Sequence, residues 1–191
     1  MSRHDERDEP ALTFRRMELA DLQLLHEWLQ RPHIRRWWGD HDTYESVVEH
    51  YAPAIRGDKA TELYLAVLDG QPVAFVQMYL VADHPDFAAL IKAGDHVAGV
   101  DLFVADDALT GQGLGTALLR RFVDEVVFTA HPSTIGCIAD PDVRNAASLR
   151  AFEKVGFHAE RQFLDPSDGQ MHALLRLDRE GPRAASPPVS P

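Results

Sequence analysis

The chain has 191 residues, 45% of them hydrophobic and 26% charged, which is enough for one α/β domain with a proper core and too little for two. Its formal net charge of −11 argues against a nucleic-acid partner, whose phosphates call for lysine and arginine, and is compatible with a cationic ligand or with simple solubility. No apolar run has the length of a membrane span, the charged start "MSRHDERDEP" has no signal-peptide core, and the single Cys137 lacks an intrachain partner, so a cytoplasmic protein is expected.

Residues 1–10 are polar, and "GPRAASPPVSP" at 181–191 is small and proline-rich; both are expected to be disordered, leaving one domain over 11–180. A first strand is predicted near Leu12–Arg16. Leu19, Leu22, Leu25, Trp28 and Leu29 then recur at helical spacing, with Pro32 just beyond. Asp42-Thr43-Tyr44-Glu45 has the form of a capping box and predicts a second helix through about Ala54. "ELYLAVLDGQPVAFVQMYL" predicts a hairpin turning at Asp69-Gly70, a dipeptide that accepts positive φ. Asp83, Asp86 and Asp95 fall in an expected long loop, and "HVAGVDLFVA" (96–105) in a buried central strand. A helix with Leu118, Leu119, Phe122, Val123 and Val126 on one face follows, then the strand "STIGCIAD" and the helix "NAASLRAFEKVG" ending at Gly156. Phe157–Phe163 and Met171–Leu177 make a closing hairpin. This order predicts a mixed α/β (α+β) domain: a largely antiparallel sheet with helices on both faces.

Two features carry chemistry. "GQGLGTALLRR" follows a strand and opens a helix, so Gly111, Gly113 and Gly115 let backbone N–H groups approach a phosphate; a structural turn is the alternative. The glycine spacing does not match the dinucleotide fingerprint, and the Walker lysine is absent. The second feature is Asp101 inside the apolar strand "VAGVDLFV". An unpaired carboxylate buried there costs on the order of several kcal/mol, so it should be paired or face a cavity. Asp140 ends the next strand and either opens toward the same cleft or caps the following turn; two carboxylates suit binding an amine and taking its proton. The ten histidines show no metal-ligand spacing, so no metal is expected.

"GVDLFVA", "LTGQGLGTALL", "CIADP" and "RNAASLRAFEKVGF" together resemble the GCN5-related N-acetyltransferase (GNAT) family over most of residues 12–178. "HIRRWWGD", "VQMY" and "DPDVRNAASLRAFEKVGF" are similar to its aminoglycoside 6′-N-acetyltransferases, a frame that siderophore lysine acyltransferases share. The resemblance implies a sheet splayed between its fourth and fifth strands, with acetyl-CoA in the opening. Backbone N–H groups of Gly111, Gln112, Gly113, Leu114, Gly115 and Thr116 would cradle its pyrophosphate. Main-chain groups of Leu102, Phe103 and Val104 would hold the pantetheine arm, and Asn145 would bond its amide. By the same resemblance Asp101 is the base that orients and deprotonates the amine. Two positions depart from the family: Thr110 where glutamine or arginine is frequent, and Phe152 where a tyrosine often protonates the departing thiolate. Phe152 leaves open a CoA-binding module without catalysis, and Asp101 argues against it.

Trp37 and Trp38 stand together in the polar stretch "RPHIRRWWGDHD". One is expected to seal the core and the other to meet a sugar ring or an ammonium group. Gln77 and Tyr79 share a strand face and either line the same pocket or are ordinary surface residues. The expected enzyme transfers acetyl to an aminoglycoside amine without an acyl-enzyme, as a monomer or homodimer, with no nucleic-acid or membrane partner.

Overall fold

A computed structural model describes residues 11–39 and 43–179. The expected disordered ends and Asp42 lie outside the described residues. Seven strands form one sheet in the order β1-β2-β3-β4-β5-β7-β6. They are β1 (Leu12–Arg16), β2 (Glu62–Leu68), β3 (Gln71–Leu80), β4 (Val97–Val104), β5 (Gly136–Ala139), β6 (His158–Leu164) and β7 (Met171–Asp178). Every neighbouring pair is antiparallel except β4 with β5, which run parallel. The β2–β3 hairpin turns as the sequence predicts, with φ of 50° at Asp69 and 80° at Gly70.

Helices α1 (Leu22–Leu29), α2 (Pro32–Arg35) and α3 (Tyr44–Arg56) lie between β1 and β2, and α4 (Pro85–Ile91) lies between β3 and β4. Helix α3 is capped by Thr43, whose hydroxyl accepts the Ser46 N–H. The 81–95 segment is not the expected long loop. Pro85 at the helix start and apolar Phe87, Leu90 and Ile91 turn it into α4, packed on Val81, Val97 and Ile138. Helix α5 (Leu114–Phe122) runs on through one widened turn, Val123–Val127, into α6 (Phe128–Ala130), and α7 (Ala146–Val155) ends at Gly156 with φ of 114°.

Strand alternation sorts the core onto two faces. Leu63, Leu65, Phe75 and Phe103 pack against α1 and α3 through Leu25, Trp28, Val47 and Tyr51. Val76, Met78, Val100 and Cys137 pack on the opposite face against Leu119 and Phe122 of α5 and Phe152 of α7. This sorting fixes where the polar strand residues point. Gln77, Tyr79, Gly99 and Asp101 have the parity of Phe75 and Phe103, so they face α1–α3. Asp140 and His172 share the parity of Ile138 and Leu174 and face the same side, next to α4.

Candidate active site

The parallel pairing of β4 with β5 covers only Val97–Gly99 against Gly136–Ile138, while β4 runs on to Val104. The sheet therefore forks after Gly99. The Ala105 N–H bonds the Val73 carbonyl on the β3 side, so by alternation the N–H groups of Leu102 and Val104 point into the fork. His33 Nε2 donates to the Val104 carbonyl (3.2 Å), and Arg31 donates to that of Ala105 (2.7 Å). Neither residue carries a signal in the sequence; each ties the segment after α1 to the end of β4.

A cavity of about 1070 Å³ passes through the fork. On the α5 side its wall includes Leu102, Val104, Gly111, Gly113, Gly115, Thr116 and Asn145, and Phe103 joins it from the α1–α3 face. Gly113 is the N-cap of α5 with φ of 90° and Gly111 has φ of 71°, values that L side chains rarely adopt. The turn thus needs glycine for its backbone shape, and it leaves the first N–H groups of a nine-residue helix facing the cavity. Gln112 and Leu114 do not line it: Gln112 donates back to the Ala108 carbonyl, and Leu114 packs beside Leu118. Thr110 bonds the Asp107 carbonyl (2.7 Å) and shapes the loop. Asn145 caps α7 by accepting the Ser148 N–H (3.1 Å), which leaves its amide nitrogen as the donor it can offer a ligand.

On the other side Asp101, Asp140, Gln77, Tyr79, Trp37 and Trp38 all line the same cavity. Asp101 accepts from Gln77 Nε2 (3.0 Å). Its carboxyl is pushed up to about 7, first by burial and then by the Asp140 charge, against the Gln77 hydrogen bond and the His172 charge. A carboxyl poised there is half ionised near neutral pH, a suitable state for a group that must accept a proton. Tyr79 lies across Gly99, where a methyl group would overlap its ring, so glycine at the root of the fork makes room for it. Burial, with Asp101 and Asp140, raises the Tyr79 hydroxyl well above its ordinary range and keeps it a neutral donor.

The two tryptophans are placed differently. Trp38 meets Phe75 and Phe103 edge-on (5.5 and 4.9 Å) and donates to the Tyr51 hydroxyl (2.8 Å), so it seals the core beside the cavity. Trp37, half-buried like Trp38, has the Arg36 guanidinium 4.6 Å from its ring centre. Tyr51 and His172 also stand on the cavity wall, and no sequence pattern marks either of them. His172 lies on β7 between Asp140 and Asp168, a placement visible only once the β6–β7 hairpin is folded. The nitrogen and oxygen atoms of Asp140, Asp165 and His172 come within 4.8 Å of one another, but an imidazole that donates from both nitrogens has no lone pair for a metal. A second cavity of about 570 Å³ shares His50, Tyr51, Gln77 and Tyr79 with the first and extends to Lys59, Thr61 and His84.

The Acetyltransferase (GNAT) domain family matches residues 18–164. The chain is 35% identical over 155 residues to the aminoglycoside N(6′)-acetyltransferase type 1 of Klebsiella pneumoniae, covering 80% of this chain and 75% of that protein. It is 26% identical over 178 residues to the lysine N-acyltransferase MbtK of Mycobacterium tuberculosis, covering 93% and 81%. The crystal structure of aminoglycoside acetyltransferase AAC(6′)-Ib in complex with coenzyme A and kanamycin superposes with a TM-score of 0.74 at 29% identity, covering 88% of this chain and 95% of that one.

Proposed function

The chain belongs to the GNAT acetyltransferase family, and from that premise we propose that it acetylates the 6′-amine of an aminoglycoside, with acetyl-CoA as donor. The observation that carries the reading is Asp101: a carboxyl with a pKa of about 7, beside the fork, on the face that Trp37, Gln77 and Tyr79 share. Acetyl-CoA supplies an activated thioester. For that donor the cavity offers the stretch of β4 that β5 does not pair, a glycine turn with exposed N–H groups, and Arg150 and Lys154 for phosphate charge. The N–H of Leu102 points where a thioester carbonyl would develop negative charge.

Asp101 holds the incoming ammonium and takes its proton, and Gln77 fixes the carboxyl. The neutral amine then attacks directly, with no acyl-enzyme. Cys137, the one thiol, is buried inside β5 and is pushed up to about 12 by burial. Phe152 is buried and cannot donate a proton, so CoA leaves as thiolate, which a free thiol pKa of about 8.5 makes tolerable. A cytoplasmic setting fits the donor, and among the described residues no helix is long and apolar enough to cross a membrane.

One observation favours a lysine-type acceptor instead. The second cavity carries Lys59, which can meet a substrate carboxylate, with His50 and His84 as further donors and Asp83 as its one carboxylate. A CoA-release assay against aminoglycosides, lysine and hydroxylysine derivatives, and N-terminal peptides separates the two. Turnover of kanamycin-type amines supports the reading. Turnover of lysine derivatives alone passes the acceptor to the second one.

A further inference from the structure

The base needs its neighbours' charges to be fixed, and one residue outside the roles given above does this. His172 Nδ1 faces the main-chain carbonyl of Asp140, which can only accept, and lies 3.6 Å from Asp140 Oδ2. Its Nε2 faces Asp168 Oδ2 at 3.0 Å. Both nitrogens therefore carry protons, and the ring is an imidazolium by geometry. The backbone holds it there: the Ala173 N–H bonds the Pro141 carbonyl (2.9 Å) and the Val143 N–H bonds that of Met171 (3.0 Å), so β7 clasps the segment after β5. The side chain is 14% exposed, equal to that of Asp140.

We propose that His172 is a positioning residue, a resident cation that pins the Asp140 carboxylate beside Asp101 and sets the pH range in which Asp101 can receive and deprotonate the acceptor amine. The groups that face it are Asp140 and Asp142 after β5, Asp165 and Asp168 in the β6–β7 turn, Asp101 on β4 and Tyr79 on β3. Asp142 is already paired with Arg144, which leaves His172 as the cation central to the remaining carboxylates. Its charge is persistent: the Asp140 hydrogen bond, outweighing burial and joined by Asp168, raises the imidazole to about 10. The sign follows. A cation here favours ionised Asp101, so a neutral replacement leaves Asp101 protonated to higher pH.

The kinetic part of this proposal rests on the acyl-transfer reading; the spectroscopic part does not. In the full-length chain, ¹⁵N NMR of the imidazoles should show one histidine, absent from His172→Gln, with both nitrogens protonated up to at least pH 9. A neutral His172 at pH 8 overturns the proposal. In parallel, kcat/KM for CoA release is followed against pH with whichever amine the wild type acetylates. His172→Gln should move the acidic limb upward by about half to one unit, a loss of about three- to tenfold at pH 6.5 that closes by pH 9. His172→Arg, which keeps a charge and two donors, should restore the limb. A merely structural histidine would lower stability or kcat without moving the limb, and an unmoved limb in folded His172→Gln refutes the proposal. If lysine derivatives are turned over and aminoglycosides are not, the acceptor reading falls, while a limb that still shifts with the lysine substrate supports His172.

Discussion

Replacing Asp101 with asparagine should nearly abolish acetyl transfer while making the protein more stable. Asparagine can still accept from Gln77 Nε2, so the local hydrogen bond survives. What disappears is the proposed proton acceptor, and a positioned general base contributes typically ~10²–10⁴-fold. The wild-type profile should already carry the mark of this group. With a pKa of about 7, Asp101 is ionised to roughly 10% at pH 6 and 90% at pH 8, so kcat/KM should rise about tenfold between them. The same shift sets the stability effect. Asp101 has a folded pKa above its unfolded value of 3.8, so the folded state binds its proton more tightly. Stability from this group is full below about pH 4 and falls until the pH passes 7. A shift of about three units corresponds to at most about 4 kcal/mol, and relaxation and water entry around the ionised carboxyl bring this to on the order of 1–2. The Asp101→Asn variant escapes that loss, so thermal unfolding at pH 8 should show a Tm raised by about 2–8 °C, shrinking to nothing near pH 4. CoA release and Tm are measured on the same preparations. A loss of activity under about threefold removes Asp101 from proton transfer. Equal Tm gains at both pH values would mean that relieved packing, and not charge, explains the stabilisation.

Gly113→Val forces a β-branched residue into a φ of 90°, distorting the turn before α5; KM for acetyl-CoA should rise several-fold more than KM for the amine, and equal rises would indicate general misfolding. Gly99→Ala should displace Tyr79 and lower acceptor affinity with little change in CoA binding, checked by separate titrations with each ligand. Trp38→Phe removes the indole donor to the Tyr51 hydroxyl and part of the packing on Phe75 and Phe103, and should cost about 1–3 kcal/mol by chemical denaturation, whereas Trp37→Phe should leave stability within about 0.5 kcal/mol and remove most acceptor-induced fluorescence quenching.

The elements that carry strong local signals were legible in the sequence. β1, the Asp69-Gly70 hairpin, β4 and the glycine stop of α7 all rest on alternation or on a residue that tolerates positive φ. Asp101 was legible because a charge inside "VAGVDLFV" violates its surroundings. What stayed hidden depends on tertiary contact. Helix α4 is short, and its apolar residues acquire meaning only when β5 and β6 supply Ile138 and Phe163 to pack on. His172 sits in "QMHALL" as an ordinary strand residue; its two acceptors come from 32 residues upstream and from the preceding turn. His33 likewise finds its partner 71 residues away.

The net charge of −11 is a poor guide to this cleft, because its walls carry several cations beside the carboxylates. On the α5 and α7 side stand Arg150, Lys154 and an Arg144 paired with Asp142, together with Asp107; on the α1–α3 side stand Asp101 and Asp140, with Asp168 behind them and Arg35 and Arg36 at the α2 rim. A sheet residue changes side with each step along the strand, so neighbouring positions on β4 can serve both halves: the main chain of Leu102 faces the opening while the Asp101 carboxyl faces the α1–α3 wall. On the proposed function, one strand would meet an anionic donor and a cationic acceptor a single residue apart. Global acidity would repel the donor at long range, but within the cleft the nearest charges dominate, since screening at physiological salt acts over about 8 Å. Added salt should therefore weaken the binding of both ligands, each through its own wall. Charge reversal of Arg150 should weaken CoA binding and leave acceptor binding nearly unchanged. An equal loss of both ligands in Arg150→Glu would show that the two walls are not electrostatically separate.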